Sequence, residues 1–334
     1  MPEAIRLSPE EESLVIPEQA TTVEYGRRNM NFRGKLKYNR MVMDKIAILN
    51  RFYTAALKEK ECYYGPFKGE FGHFLLHNLP FIMHLHRKGV KVHYCGLDIH
   101  RPFMLDEDGK SIVASWHPLR DFFGEVRPVS NETVPPDDVQ KDIRAFARKA
   151  RKSGKPFLDI SDRNLYWFVY RNWQLGGRQH CYRLDKVYAK GKTNSCVIFP
   201  RKKGAAVTPN NGGPWDYMKV AEAMLEHFDE VRFVGHPSLS DQIEDRNGIS
   251  VCLSCDNDTT LRHCAEARMI ISQHSGAVHL GAYVNTPVLL IYNGKPPIKG
   301  LVDTLRFRKN LSQEPLHYAF SLDEIVNFAR SQSF

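Results

Sequence analysis

The chain has 334 residues, 42% of them hydrophobic and 25% charged, and a formal net charge of +9. That length exceeds what one core comfortably fills and fits two α/β domains, and the composition excludes a disordered chain. No run of about 18 apolar residues occurs, so no membrane-spanning helix is expected; the charge suits nucleic acid, an anionic membrane surface or small anionic substrates alike.

Residues 1–24 read as an N-terminal arm, because Met1 to Thr22 is polar and acidic and lacks the basic and apolar regions of a secretory signal. Residues 25–190 are expected to form a first α/β domain. In it Phe71–Lys88, mostly apolar between Gly69 and Gly89, predicts a buried helix, and Val90–Tyr94, Ser111–Ser115 and Pro156–Ile160 predict strands. Val139–Lys152 and Asn164–Leu175 predict further helices. The basic run Arg148-Lys149-Ala150-Arg151-Lys152 reads as a solvated helix face with no nucleic-acid-binding pattern around it, so nucleic acid is not an expected partner, and a peripheral membrane contact stays open. Asp106-Glu107-Asp108-Gly109 imitates an acidic metal motif but reads as a hairpin turn.

A hinge near Lys186–Asn194 leads into residues 191–310, where apolar runs alternate with helical patterns. Ser195–Phe199, Val231–Val234, Ile249–Leu253, Met269–Ile271 and Val288–Tyr292 predict strands; Trp215–Phe228 and Thr259–Ala267, the latter capped by Asp258, predict helices. This alternation implies a parallel, Rossmann-like sheet with right-handed crossovers. Residues 311–334 form a C-terminal segment whose part Ser321–Phe334 predicts an amphipathic helix. Seven scattered cysteines form no disulfide framework and point to reduced thiols and a cytoplasmic location; Cys252 and Cys255 have CxxC spacing but no second pair, and read as thiols, not as a zinc site.

Ligands of open α/β sheets bind beyond the carboxyl ends of the strands. Two such loops stand out. After the strand ending at Phe199 come Pro200-Arg201-Lys202-Lys203-Gly204, and Arg201, Lys202 and Gly204, together with the helix opening at Trp215, suit a diphosphate through charge and backbone N–H groups. After Ile271 come Ser272-Gln273-His274-Ser275-Gly276, where Ser275 and Gly276 offer a hydroxyl and close backbone approach to a phosphate or ribose. His274 and His279 are five residues apart and need not share a helical face, so no metal site is expected there.

The stretch from Ile271 through Ser275-Gly276-Ala277-Val278-His279 to Tyr292-Asn293-Gly294 resembles the C-terminal signature of bacterial heptosyltransferases. The strand ending at Phe199-Pro200, the helix at Trp215 and Val231-Arg-Phe-Val-Gly235-His-Pro237 match the family in the same order. His274 stands where the family carries an aspartate, and an imidazole can donate to a phosphate oxygen where a carboxylate cannot. Gly69-Glu70-Phe71-Gly72-His73, continuing to Pro80, is similar to the family's glycine-rich first loop and also to the motif of DUF563-type xylosyl- and N-acetylglucosaminyltransferases.

These resemblances imply the GT-B fold, two Rossmann-like α/β domains facing a cleft, with the nucleotide-sugar donor on the C-terminal domain and a glycan or other hydroxyl acceptor on the N-terminal one. They imply inverting transfer without a metal or other cofactor, with Glu70 as first candidate for the base and His73 as second, and Arg201, Lys202, Gly204, Trp215, Gly235, His274, Ser275, Gly276 and His279 around the donor. The alternatives are a nonhydrolysing nucleotide-sugar epimerase and a catalytically inactive glycan- or nucleotide-binding protein. A dinucleotide enzyme is disfavoured, since no G-x-G-x-x-G follows an assigned strand.

Overall fold

The structure, a computed structural model, describes residues 31–69, 71–122, 125–126, 134–161, 182–202, 215–237, 239–254, 256–273, 275–293 and 317–332. Among them, backbone packing separates a first unit, residues 31–104 and 111–161, from a second, residues 105–110 and 182–332.

The first unit opens with a long helix, α1, Phe32–Glu59. Asn31 caps it by accepting from the Gly34 amide at 2.9 Å, and Lys60 ends it in the left-handed conformation at φ 55°. Four strands follow, β1 (Glu61–Phe67), β2 (Lys91–Leu97), β3 (Ser115–Leu119) and β4 (Phe157–Asp159), all parallel in the order β3-β2-β1-β4. Between β1 and β2 the chain is helical throughout: a first turn at Phe71–His73, a π-helical stretch Phe74–Asn78, and α2, Leu79–Arg87. The expected helix is present, with a π segment that the apolar pattern does not reveal.

The strand expected at Ser111–Ser115 lies further on, at Ser115–Leu119. Pro118 is tolerated inside β3 because β3 is an edge strand, where a missing N–H costs no ladder bond. Helix α3, Asp137–Lys152, carries Asp137 and Asp138 in its first turn and Lys149, Arg151 and Lys152 in its last, as the helix dipole favours. Its buried face, Val139, Phe146 and Ala150, packs with Tyr63, Cys95, Leu97 and Leu119 from the sheet, while Arg148, Lys149, Arg151 and Lys152 are exposed. The helix expected at Asn164–Leu175 lies outside the described residues.

In the second unit a short helix, α4 (Asp185–Tyr188), precedes six strands: β5 (Ser195–Phe199), β6 (Glu230–Val234), β7 (Ile249–Cys252), β8 (Met269–Ser272), β9 (Val288–Ile291) and β10 (His317–Ala319). All are parallel, in the order β10-β9-β8-β5-β6-β7. Helices α5 (Tyr217–Leu225), α6 (Asn257–Glu266), α7 (Ala277–Val284) and α8 (Leu322–Gln332) connect or follow them. Cys196, Ile198, Val231, Phe233, Met269 and Ile271 form a continuous core with α5 and α8, and burial of this kind contributes about 25 cal/mol per Å² of apolar surface.

Two expectations are corrected here and one is met. Asp256, not Asp258, caps α6, accepting from the Thr259 amide at 2.7 Å; Asp258 sits inside the first turn. The segment at Asp106 is the hairpin turn expected: the Asp106 amide donates to Lys110 O (2.8 Å) and the Ile112 amide to Met104 O (3.0 Å) across it, and the Asp106 carboxylate accepts from the amides of Asp108 (3.0 Å) and Lys110 (2.8 Å). Cys252 is disulfide-bonded, not a thiol, at the point where β7 ends and the chain turns; Cys255 lies outside the described residues. Cys62, Cys95, Cys196 and Cys264 are free and buried.

Candidate functional site

In the second unit the strand order reverses between β5 and β8: β6 and β7 extend from one side of β5, whereas β8, β9 and β10 extend from the other. Loops leaving the carboxyl ends of strands at such a reversal diverge and open a crevice. Phe199, the last residue of β5, pairs with Ser272, the last of β8. The loops carrying Arg201 and Lys202 on one side and Ser275 and Gly276 on the other therefore start side by side at the reversal.

The β5 loop is held from its other flank. Arg201 bridges Ser240, the Lys202 amide donates to Leu239 O at 2.9 Å, and the Asp241 amide donates to Pro200 O at 2.8 Å. Gly235 makes this approach feasible. Its φ is 156°, and a Cβ there would lie 2.7 Å from the Ser240 hydroxyl. Lys202 Nζ lies 3.7 Å from Asp241 Oδ1, so its charge is already partly compensated.

The β8 loop is held from beneath. The Tyr217 hydroxyl, at the start of α5, donates to Gln273 Oε1 at 2.7 Å, and both residues are buried. Burial pushes the Tyr217 hydroxyl above its ordinary pKa and keeps it a donor. The Ser272 and Ser275 hydroxyls are 3.0 Å apart, and the Ala277 amide donates to Ser275 Oγ at 3.3 Å.

The two helix starts differ. Asp216 caps α5 and accepts from the Lys219 amide at 3.2 Å, which places a carboxylate at that helix's positive end. The α7 cap is Gly276, which has no side chain to bond. Of the two, α7 is the start suited to an anion. Trp215, two residues before α5, packs against the core and buries an indole N–H that has no hydrogen-bond partner among the described residues. His279 is buried within α7. Gly204 and His274 lie outside the described residues.

In the first unit the strand order reverses between β1 and β4. Glu70 follows β1 in sequence and lies outside the described residues. His73 is partly buried at the end of the first helical turn, and burial pushes its imidazole down to about 4. Sequence reading missed the polar groups buried beside this helix. The Tyr64 hydroxyl donates to Asn78 Oδ1 at 2.7 Å; His100, just past β2, is buried, stacks on Phe74 with ring centres 4.0 Å apart, and has no hydrogen-bond partner for either nitrogen among the described residues. A π-helical stretch in an α-helix, here Phe74–Asn78, is often found at functional sites, but it shows only in the structure.

A second polar set joins Ser115 Oγ, His93 (Nδ1 at 2.7 Å) and Glu61 Oε1 (2.9 Å from His93 Nε2). It lies near the amino ends of β3, β2 and β1, away from the loops at the carboxyl ends, and ties the strands together. The described residues contain no group of three or more His, Cys, Asp or Glu able to hold a metal ion, and no helix among them is long and apolar enough to cross a membrane.

No protein-family model matches the sequence, and no curated protein matches it. Solved structures do. The E. coli heptosyltransferase WaaC with ADP matches at a TM-score of 0.52 and 10% identity, over 82% of this chain and 100% of that one. The same enzyme with ADP-2-deoxy-2-fluoro heptose matches at 0.53 and 10%, over 81% and 98%. The family 9 glycosyl transferase from Veillonella parvula DSM 2008 matches at 0.50 and 11%, over 78% and 86%. With its two parallel α/β units, the chain has the fold of these glycosyltransferases, the GT-B fold.

Proposed function

We propose that this protein is a glycosyltransferase that moves a sugar from a nucleotide-sugar donor to a hydroxyl of a glycan or other acceptor, with inversion and without a metal or other cofactor. The observation that carries the reading is the pairing of Phe199 with Ser272 at the strand-order reversal of the second unit, which sets a cationic loop beside an uncapped helix start. The named ligands of the E. coli relative, ADP and an ADP-heptose analogue, agree with a donor of this class.

In this reading the second unit holds the donor and the first the acceptor. Arg201 and Lys202, with the amides after Ser275 and Gly276, neutralise the diphosphate as the bond from the anomeric carbon to its oxygen breaks, usually the largest electrostatic contribution to such a step. Trp215 and Gly235 shape the pocket wall, Gly204 lets the β5 loop approach, His274 donates to a phosphate oxygen, and His279 supports the start of α7 from within. The acceptor oxygen attacks the anomeric carbon from the opposite face, its proton passes to a base, and the nucleoside diphosphate leaves with the electron pair. Glu70, placed between Gly69 and Gly72 before the apolar helix, is the first candidate for that base, and His73, whose imidazole burial lowers to about 4, the second. Among the described residues, the free and buried thiols of Cys62, Cys95, Cys196 and Cys264 favour a cytoplasmic location over an oxidising one, against the disulfide at Cys252.

The test is incubation with a panel of nucleotide-sugars, with and without acceptor glycans, in the presence of EDTA. Release of nucleoside diphosphate that depends on the acceptor and persists in the chelator is expected. Conversion of the sugar without any acceptor would instead identify an epimerase, and activity restored only by a divalent ion would contradict the metal-free mechanism.

A further inference from the structure

We infer that the amino-terminal half of α1 is a docking surface for an anionic phospholipid membrane. Among the described side chains of this helix the buried ones, Leu49, Phe52 and Ala56, all lie in its other half. At about 100° per residue these three point to one side, whereas Phe32, Leu36 and Met43 fall within about 40° of one another on the opposite side. There they are 75%, 53% and 64% exposed. Three large apolar side chains aligned on the outward face of one helix are not scattered surface hydrophobics.

The charge around this stripe identifies its partner. From Phe32 to Met43 the sequence holds Arg33, Lys35, Lys37 and Arg40 and no acidic residue, and Arg33, Lys37 and Arg40 are exposed. An apolar stripe bordered by cations is the pattern of a helix that lies in the membrane interface, its apolar side chains among the acyl chains and its cations at the headgroups. Each cation near an anionic leaflet contributes about fivefold in affinity. A second copy of this chain is the weaker candidate, since a symmetric pairing would bring like cations together, and three side chains fall short of the roughly 800 Å² per partner of a stable interface. The inference is independent of the reaction the protein performs.

Flotation of the full chain with vesicles of phosphatidylcholine, or of phosphatidylcholine mixed with phosphatidylglycerol, tests this, at low and high salt. Capture by the anionic vesicles that weakens in high salt is expected. It should fall about 25-fold in the double variant Arg33→Ser, Arg40→Ser, and also fall in Phe32→Ser, Leu36→Ser, Met43→Ser, with melting temperatures unchanged because all five side chains are outside the core. Failure of the native chain to bind anionic vesicles, or equal capture of both variants and the native chain, would overturn the inference. A native dimer that the apolar triple variant dissociates would overturn it too, assigning the stripe to self-association.

Discussion

At the scale of single residues, the two loops proposed to hold the donor are tied down by neighbours outside the loops themselves. Tyr217 holds the Gln273 side chain, the backbone at Ser240 bridges the backbone at Arg201, and Gly235 leaves the room that Ser240 needs. On the acceptor side the assignment turns on one carboxylate. Glu70→Gln preserves size and hydrogen bonding but cannot take a proton, so transfer should fall by about 10²- to 10⁴-fold with donor affinity nearly unchanged. Rates and donor titrations on the variant decide it: near-native turnover would remove Glu70 as the base, and the same loss in His73→Asn would move the role there. His100 and Asn78 were invisible in the sequence, because a histidine after a strand and an asparagine in an apolar helix become notable only when packing buries each of them, His100 against Phe74 and Asn78 on the Tyr64 hydroxyl.

At the scale of elements, legibility followed burial. The strands β5, β8 and β9 are buried on both faces and stand out as short runs of Val, Ile, Leu, Phe and Met, and β6 shows as Val231, Phe233 and Val234 around a partly buried Arg232. β1 was missed because Gly65-Pro66 inside it reads as a turn, and β10 because three residues are too few for any period. α1 was missed because cations and apolar residues alternate over its first half without a single core-facing stripe. The loops bearing Arg201 and Ser275 were singled out from sequence since each directly follows a legible strand; their adjacency was not, for it depends on β8 pairing with β5 across the intervening residues 200–268.

One tie behind this pair of strands is open to titration. Lys192 Nζ donates to Ala267 O (2.9 Å), before β8, and to Thr286 Oγ1 (2.7 Å) and Asn285 O (3.3 Å), between α7 and β9. Burial lowers its ammonium to about 8, against about 10.4 for an exposed lysine. Between those values the unfolded chain binds a proton that the folded one has released, so the destabilising contribution of this group, complete below pH 8, is relieved as pH rises through the window. Urea midpoints of the native chain should therefore rise relative to those of Lys192→Met from about pH 8 to about pH 10.4. Parallel pH profiles for the two proteins would show that Lys192 is not held in this way.

At the scale of the whole molecule, a net charge of +9 and two parallel α/β units leave many functions open. What narrows them is the place where one sheet reverses its strand order and what stands there. Lys202 is exposed and faces Asp241, whereas Arg201 is partly buried in the bridge to Ser240, so Arg201 is expected to carry more of the interaction with a diphosphate. The most direct measurement is calorimetric titration of the native chain and of Arg201→Ala with a nucleoside diphosphate and with the matching nucleoside. The native chain should bind the diphosphate more tightly than the nucleoside, and Arg201→Ala should lose about 1.5–3 kcal/mol for the diphosphate and little for the nucleoside, the range for a hydrogen bond to a charged group. Equal losses for both ligands, or a native chain that binds no nucleoside diphosphate, would contradict the placement of the donor at the β5–β8 reversal.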